Sequence, residues 1–157
     1  MSTRRTITTL AAAVAGVLAA GAASAAAPPS HATLVIRHQV RGCHSWSVDG
    51  GAYRASQTLT LRRGGSIVVT DNDVMPHRLI QTAGPAVRFA NLATPFTAMG
   101  MRGHAAPGAM RYMGAATKVV FTRPGVYRFV TRAGEDYVPM KTVGEDNVLR
   151  LVVRVVS

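Results

Sequence analysis

Gly65-Ser66-Ile67-Val68-Val69-Thr70-Asp71-Asn72-Asp73-Val74-Met75-Pro76-His77-Arg78-Leu79 is the stretch on which the reading of this chain turns. Ser66 to Thr70 is apolar and β-branched, which suits a pleated, half-buried strand. Asp71-Asn72-Asp73 follows, and short polar side chains of this kind bond to nearby backbone N–H groups and so end strands in turns. Pro76 then restricts the backbone immediately before His77. The segment therefore reads as a strand, a polar turn and a histidine delivered at the strand's end. A histidine so placed either caps the turn or offers a neutral nitrogen to a ligand.

The flanking sequence repeats the strand signal. Ala32 to Val40 is apolar around Val35 and Ile36, and Gln57 to Arg62 alternates, with Leu59 and Leu61 on one face. Lys118 to Thr122 leads through Pro124-Gly125 into Val126 to Val130. Val148 to Val156 sets Leu149, Leu151, Val153 and Val155 against Arg150 and Arg154. Period-two alternation with Gly and Pro punctuation predicts an all-β fold, a Greek-key sandwich or barrel of seven to eight strands. The exception is Gln81 to Ala116, a Met-rich insertion with much Gly, Ala and Pro, too long for a plain loop in a compact domain. It is expected to hold a short helix, a strand or a flap.

Composition narrows the function. The 157 residues carry 18 Lys+Arg against 7 Asp+Glu, a net charge of +11, with 48% hydrophobic residues, too apolar for a disordered chain. The arginines are dispersed, Arg62-Arg63 being the only pair outside the N-terminus, and they do not interleave with aromatics, so nucleic acid is not expected as a partner. Arg4 and Arg5, an apolar run from Leu10 to Ala23 and Ala23-Ser24-Ala25 have the form of a signal peptide over residues 1–25. Residues 26–157 would then be one exported domain, periplasmic, envelope-bound or secreted, with no transmembrane anchor after cleavage. With one cysteine, Cys43, no intrachain disulfide can form.

Two segments resemble the cupredoxin family. The strand, the Asn/Asp-rich turn and Pro76-His77 resemble that family's first ligand segment, and the resemblance implies that His77 binds copper through its imidazole. Pro124-Gly125-Val126-Tyr127, running on to Thr131, resembles the family's penultimate strand. There the resemblance implies that Thr131 takes the position of the copper cysteine, Glu135 or Asp136 that of a histidine, and Met140 that of the axial methionine. A neutral hydroxyl is a poor copper ligand, so the standard blue site is absent.

Replacement donors are present. Cys43 and His44 lie at the end of the first strand, where the family's topology implies the same pole as His77. Regular strand geometry turns only one of the two inward, unless a bulge intervenes. Met99, Met101, His104, Met110 and Met113 crowd the insertion. Thioether sulfur suits Cu(I), although methionines also fill core gaps. The expected metal set is His77 with some of Cys43, His44, Met113 and Met140. His31 and His38 read as surface residues.

Hydrolase, zinc-protease and phosphate-loop motifs are missing. The acidic turns at Glu135 and Glu145 each offer two adjacent carboxylates, short of a calcium shell. The reading is a non-enzymatic, copper-binding protein acting in copper carriage or electron transfer, with an acidic redox or copper-transfer partner. The alternative is a metal-free scaffold serving as an envelope binding or adhesion module.

Overall fold

The structure is a computed structural model that describes residues 26–38, 44–92, 106–133 and 148–157. Residues 1–25, Cys43, Met99, Met101, His104, Glu135, Asp136 and Met140 lie outside the described residues. The described chain forms ten strands: β1 (His31–His38), β2 (His44–Val48), β3 (Ser56–Arg62), β4 (Ser66–Asp71), β5 (His77–Ala83), β6 (Phe89–Leu92), β7 (Ala109–Met110), β8 (Ala116–Val120), β9 (Gly125–Ala133) and β10 (Val148–Val156). The expected all-β sandwich is what forms. It has more strands than expected, because the insertion contributes the short β6 and β7.

Two five-stranded sheets face each other, in the orders β2-β1-β4-β8-β6 and β3-β10-β9-β5-β7. From β2 to β9 the chain changes sheet at every connection, which is why each sheet contains a parallel pair. β1 runs parallel to β4, and β10 parallel to β3; the other pairings are antiparallel. Parallel neighbours need a crossover, here supplied by strands of the opposite sheet.

Alternation decides what enters the core. β10 buries Leu149, Leu151, Val153 and Val155 while Arg150 and Arg154 stay exposed. β4 buries Ile67, Val69 and, at the same parity, Asp71. One end of the core is aromatic. Phe121 meets Tyr127 edge-on with centroids 4.8 Å apart and Phe129 at 6.1 Å, and the Tyr127 hydroxyl donates to the Arg123 carbonyl at 2.6 Å. Phe121 lies beside the start of β4, its N–H donating to the Gly65 carbonyl. Asp71 ends the same strand, so the polar residues gather at the opposite pole.

Gly108 seats the smallest strand. Its φ is +79°, and a Cβ there would press on the Leu79 carbonyl oxygen. Only glycine lets the turn approach β5 so closely, and the approach pairs Met110 with His77 in the β5–β7 ladder.

Candidate metal centre

Five strands supply the polar pole. Along β1, Ala32, Leu34 and Ile36 face the core, and His38 continues that parity at the strand's end. His38 stands opposite His44 in the β1–β2 ladder, as Ile36 stands opposite Trp46, so both histidines lie on the core-side face. Ile36 is in turn the neighbour of Asp71 on β4. From the other sheet, β5 opens with His77 and buries it, while Thr131 on β9 pairs with Leu79 and is also buried.

The turn between β4 and β5 aims the second aspartate. Asp71 Oδ1 accepts the Asp73 N–H at 3.0 Å, and Asp73 Oδ1 accepts the Met75 N–H at 3.1 Å. This is the Asx-turn chemistry that the Asp-Asn-Asp run suggests. It leaves Asp73 Oδ2 facing three imidazoles. His44 Nδ1 lies 2.7 Å away, His77 Nε2 3.9 Å and His38 Nδ1 4.0 Å. The His44 and His77 rings meet edge-on with centroids 4.8 Å apart, and His38 meets His44 at 5.5 Å. His44, Asp73 and His77 are buried, whereas the His38 side chain is 56% exposed.

Electrostatics divides the two aspartates. Burial raises the Asp71 carboxyl to about 8; the Asp73 backbone N–H opposes this, and the charge on Asp73 adds to it. Asp71 is therefore mostly protonated at neutral pH. Burial also pushes Asp73 upward, but the Met75 N–H and His44 outweigh it and hold Asp73 below its ordinary value. Asp73 is then the single carboxylate charge of the cluster. An ionised carboxylate only accepts, so His44 Nδ1–H is the donor and the lone pair of a neutral ring sits on Nε2. His77 is lowered to about 4, first by burial and then by His44, with Asp73 opposing. It is neutral at pH 7, as a ligand must be.

One ring nitrogen of the cluster stands unpaired. His77 Nε2 is buried without a hydrogen-bond partner, while Nδ1 of the same ring lies 3.3 Å from Thr131 Oγ1. An unpaired buried polar atom costs about 1–3 kcal/mol, so it needs a reason. His38, His44 and Asp73 each offer a donor atom, all within 4.8 Å of one another. Bonds of 2.0–2.2 Å to a tetrahedral ion put ligand atoms about 3.4 Å apart. The 3.9 and 4.0 Å separations lie close to that value, and the 2.7 Å contact opens to it when His44 gives up its Nδ1 proton to bind the ion through that nitrogen and keeps a proton on Nε2, so the donors fit a metal ion.

Among the residues expected from sequence, the structure brings His77 and His44 together. Of Cys43 and His44, the latter is the one seen facing inward; Cys43 and Met140 lie outside the described residues. Met113 is 46% exposed on the turn before β8, while Met110, its neighbour in the insertion, is wholly buried and is the methionine paired with His77. The Thr131 position, given to the copper thiolate by the family resemblance, does lie against His77.

Sequence reasoning missed Asp73 and His38. The signal for Asp73 was the Asp-Asn-Asp run itself, whose turn bonds occupy Asp73 Oδ1 and leave Oδ2 to face the histidines. His38 differs from the expected lone surface residue because its cross-strand partner is His44.

No family model matches the chain, and no curated protein matches it by sequence. Among solved structures, a purple cupredoxin from Nitrosopumilus maritimus is 17% identical with a TM-score of 0.39, covering 78% of this chain and 98% of its own. A mutant amicyanin with Cu(I) is 15% identical with a TM-score of 0.34, covering 78% and 80%. A laccase from Pediococcus acidilactici is 11% identical with a TM-score of 0.46 over 85% of this chain, which spans only 28% of the laccase. Among the described residues no helix is long and apolar enough to cross a membrane.

Proposed function

We propose that this chain is an exported, cupredoxin-like copper-binding protein that carries copper or electrons through a non-standard site. The observation that carries the reading is the orphaned, buried Nε2 of His77 beside Asp73 and His44. The strand order supports the fold, with β1 parallel to β4 and His77 opening β5 after the Asp-rich turn. His77, His44 and Asp73 would hold the ion, and copper bound there would supply a one-electron couple or a transferable cargo. The chain's own residues do the rest. Asp73 orients the His44 ring, Thr131 contacts the His77 ring, and the buried pole limits water access. The role is binding rather than catalysis. Exposed arginines on the outer sheet face, Arg128 and Arg154 among them, suit an acidic partner.

The test is a titration of the purified protein with copper against a chromophoric chelator. One equivalent should bind, and His77→Ala should weaken it at least tenfold. A second reading, the metal-free scaffold, is favoured by the Thr131 hydroxyl in place of a thiolate, 3.3 Å from His77. On that reading His77→Ala alters stability and the unaltered protein fails to compete with the chelator.

A further inference from the structure

Building on the proposed copper site, two described residues compete to complete the set His44, Asp73 and His77. Met110 is paired with His77 and belongs to the apolar core cluster. As a soft thioether it would favour Cu(I). His38 has its Nδ1 4.0 Å from Asp73 Oδ2 and its ring edge-on to His44, and it alone of the four polar residues reaches solvent.

We infer that His38 is the fourth donor, that the site selects a divalent ion, Cu(II) over Cu(I), and that the ion enters and leaves through His38. The geometry centres on Asp73 Oδ2, which faces all three imidazoles within 4.0 Å. Three borderline nitrogens and one hard, anionic oxygen match Cu(II) or Zn(II), whereas two-coordinate soft sets match Cu(I). Register makes the arrangement deliberate: His38 and His44 are cross-strand partners on the core-side face, at the edge of the pole. Because His44, Asp73 and His77 are buried, exchange with solvent or with an acceptor protein must begin at the exposed ring.

The experiment compares the unaltered protein with His38→Ala, Met110→Leu, Cys43→Ser and, as a control for adventitious binding, His31→Ala. Cu(II) affinity is read by chelator competition, nitrogen couplings by electron paramagnetic resonance, and Zn(II) is added as a redox-inert competitor. His38→Ala should weaken Cu(II) about 10–100-fold and remove one nitrogen coupling. Met110→Leu, Cys43→Ser and His31→Ala should leave both readouts unchanged, Zn(II) should occupy the same site but yield it to Cu(II), and reduction should release copper to a Cu(I) chelator. Copper held through reduction and weakened by Met110→Leu but not by His38→Ala would overturn the inference while leaving the copper site standing. An intense visible band lost in Cys43→Ser would overturn it likewise, by assigning the donor to a thiolate. No copper binding in the unaltered protein would instead overturn the proposed function itself.

Discussion

The two ends of the sandwich solve opposite problems with the same strands. At the start of β4, Phe121, Tyr127 and Phe129 pack ring on ring, and the one polar atom among them, the Tyr127 hydroxyl, is bonded to Arg123. At the end of β4 the core contains Asp71, Asp73, His44, His77 and Thr131, with Asp71 Oδ2 and His77 Nε2 left without partners. Burying polar groups without full pairing opposes folding, whereas aromatic burial favours it. One end holds the fold, and the other is carried at a cost to stability. That cost is what the copper-binding reading proposed above would account for.

The largest expected effect breaks the stabilising end. Phe121→Ala should lower stability by about 3–5 kcal/mol, read as a drop in the urea midpoint, with copper affinity of the folded protein unchanged because the site lies at the far end of β4. Loss of copper affinity at full occupancy of the folded state would contradict the separation of the two ends.

The next effect runs the other way. Replacing His77 by Leu together with Thr131 by Val removes both partners of a poor polar contact and the orphaned Nε2. Metal-free stability should rise by about 1–2 kcal/mol, with copper binding abolished; a fall in stability would mean that the polar pole supports the fold. The gain should also depend on pH. His77 is lowered to about 4 in the folded protein from an ordinary 6.5. Between those values the unfolded chain binds more protons, so the unaltered protein loses stability as pH falls from about 6.5 towards about 4. The double variant lacks that loss, and its advantage should widen at pH 5 relative to pH 7.

The smallest effect sharpens the contrast at single-atom level. Tyr127→Phe removes the 2.6 Å bond to the Arg123 carbonyl and should cost about 1 kcal/mol. A thermal melt suffices to see it. A polar atom at the aromatic end is then worth keeping for stability alone, in contrast to His77 Nε2.

How much of this was legible beforehand follows from the range of the interactions involved. Strand identity is local: Ile67 and Val69, or Leu149 to Val155, declare a buried face through alternation that needs no knowledge of the partner strand. β10 and β3 are readable for that reason, and so is the turn that delivers His77. The short β6 and β7 are not, since neither Phe89–Leu92 nor Ala109–Met110 has enough residues to show a period. They exist because β8 and β5 offer them ladders, and because Gly108 permits the approach.

The candidate site divides along the same line. By itself the sequence determined an all-β chain and a histidine held after a polar turn at a strand end; that Thr131 stands where a thiolate would be expected is what the cupredoxin resemblance implies. The first two depend on residue type and on spacing within a few neighbours. Only the tertiary structure decided that His38 opposes His44, that both face Asp73, and that Met110 rather than Met113 stands beside His77. The His38–His44 pair is local to the β1–β2 connection, but the contacts of His44 with Asp73 and of Met110 with His77 join residues far apart in the chain, and all of them are fixed by strand register. Register is set by how two sheets close over a shared core, and a change of one residue would turn every one of these side chains to the other face.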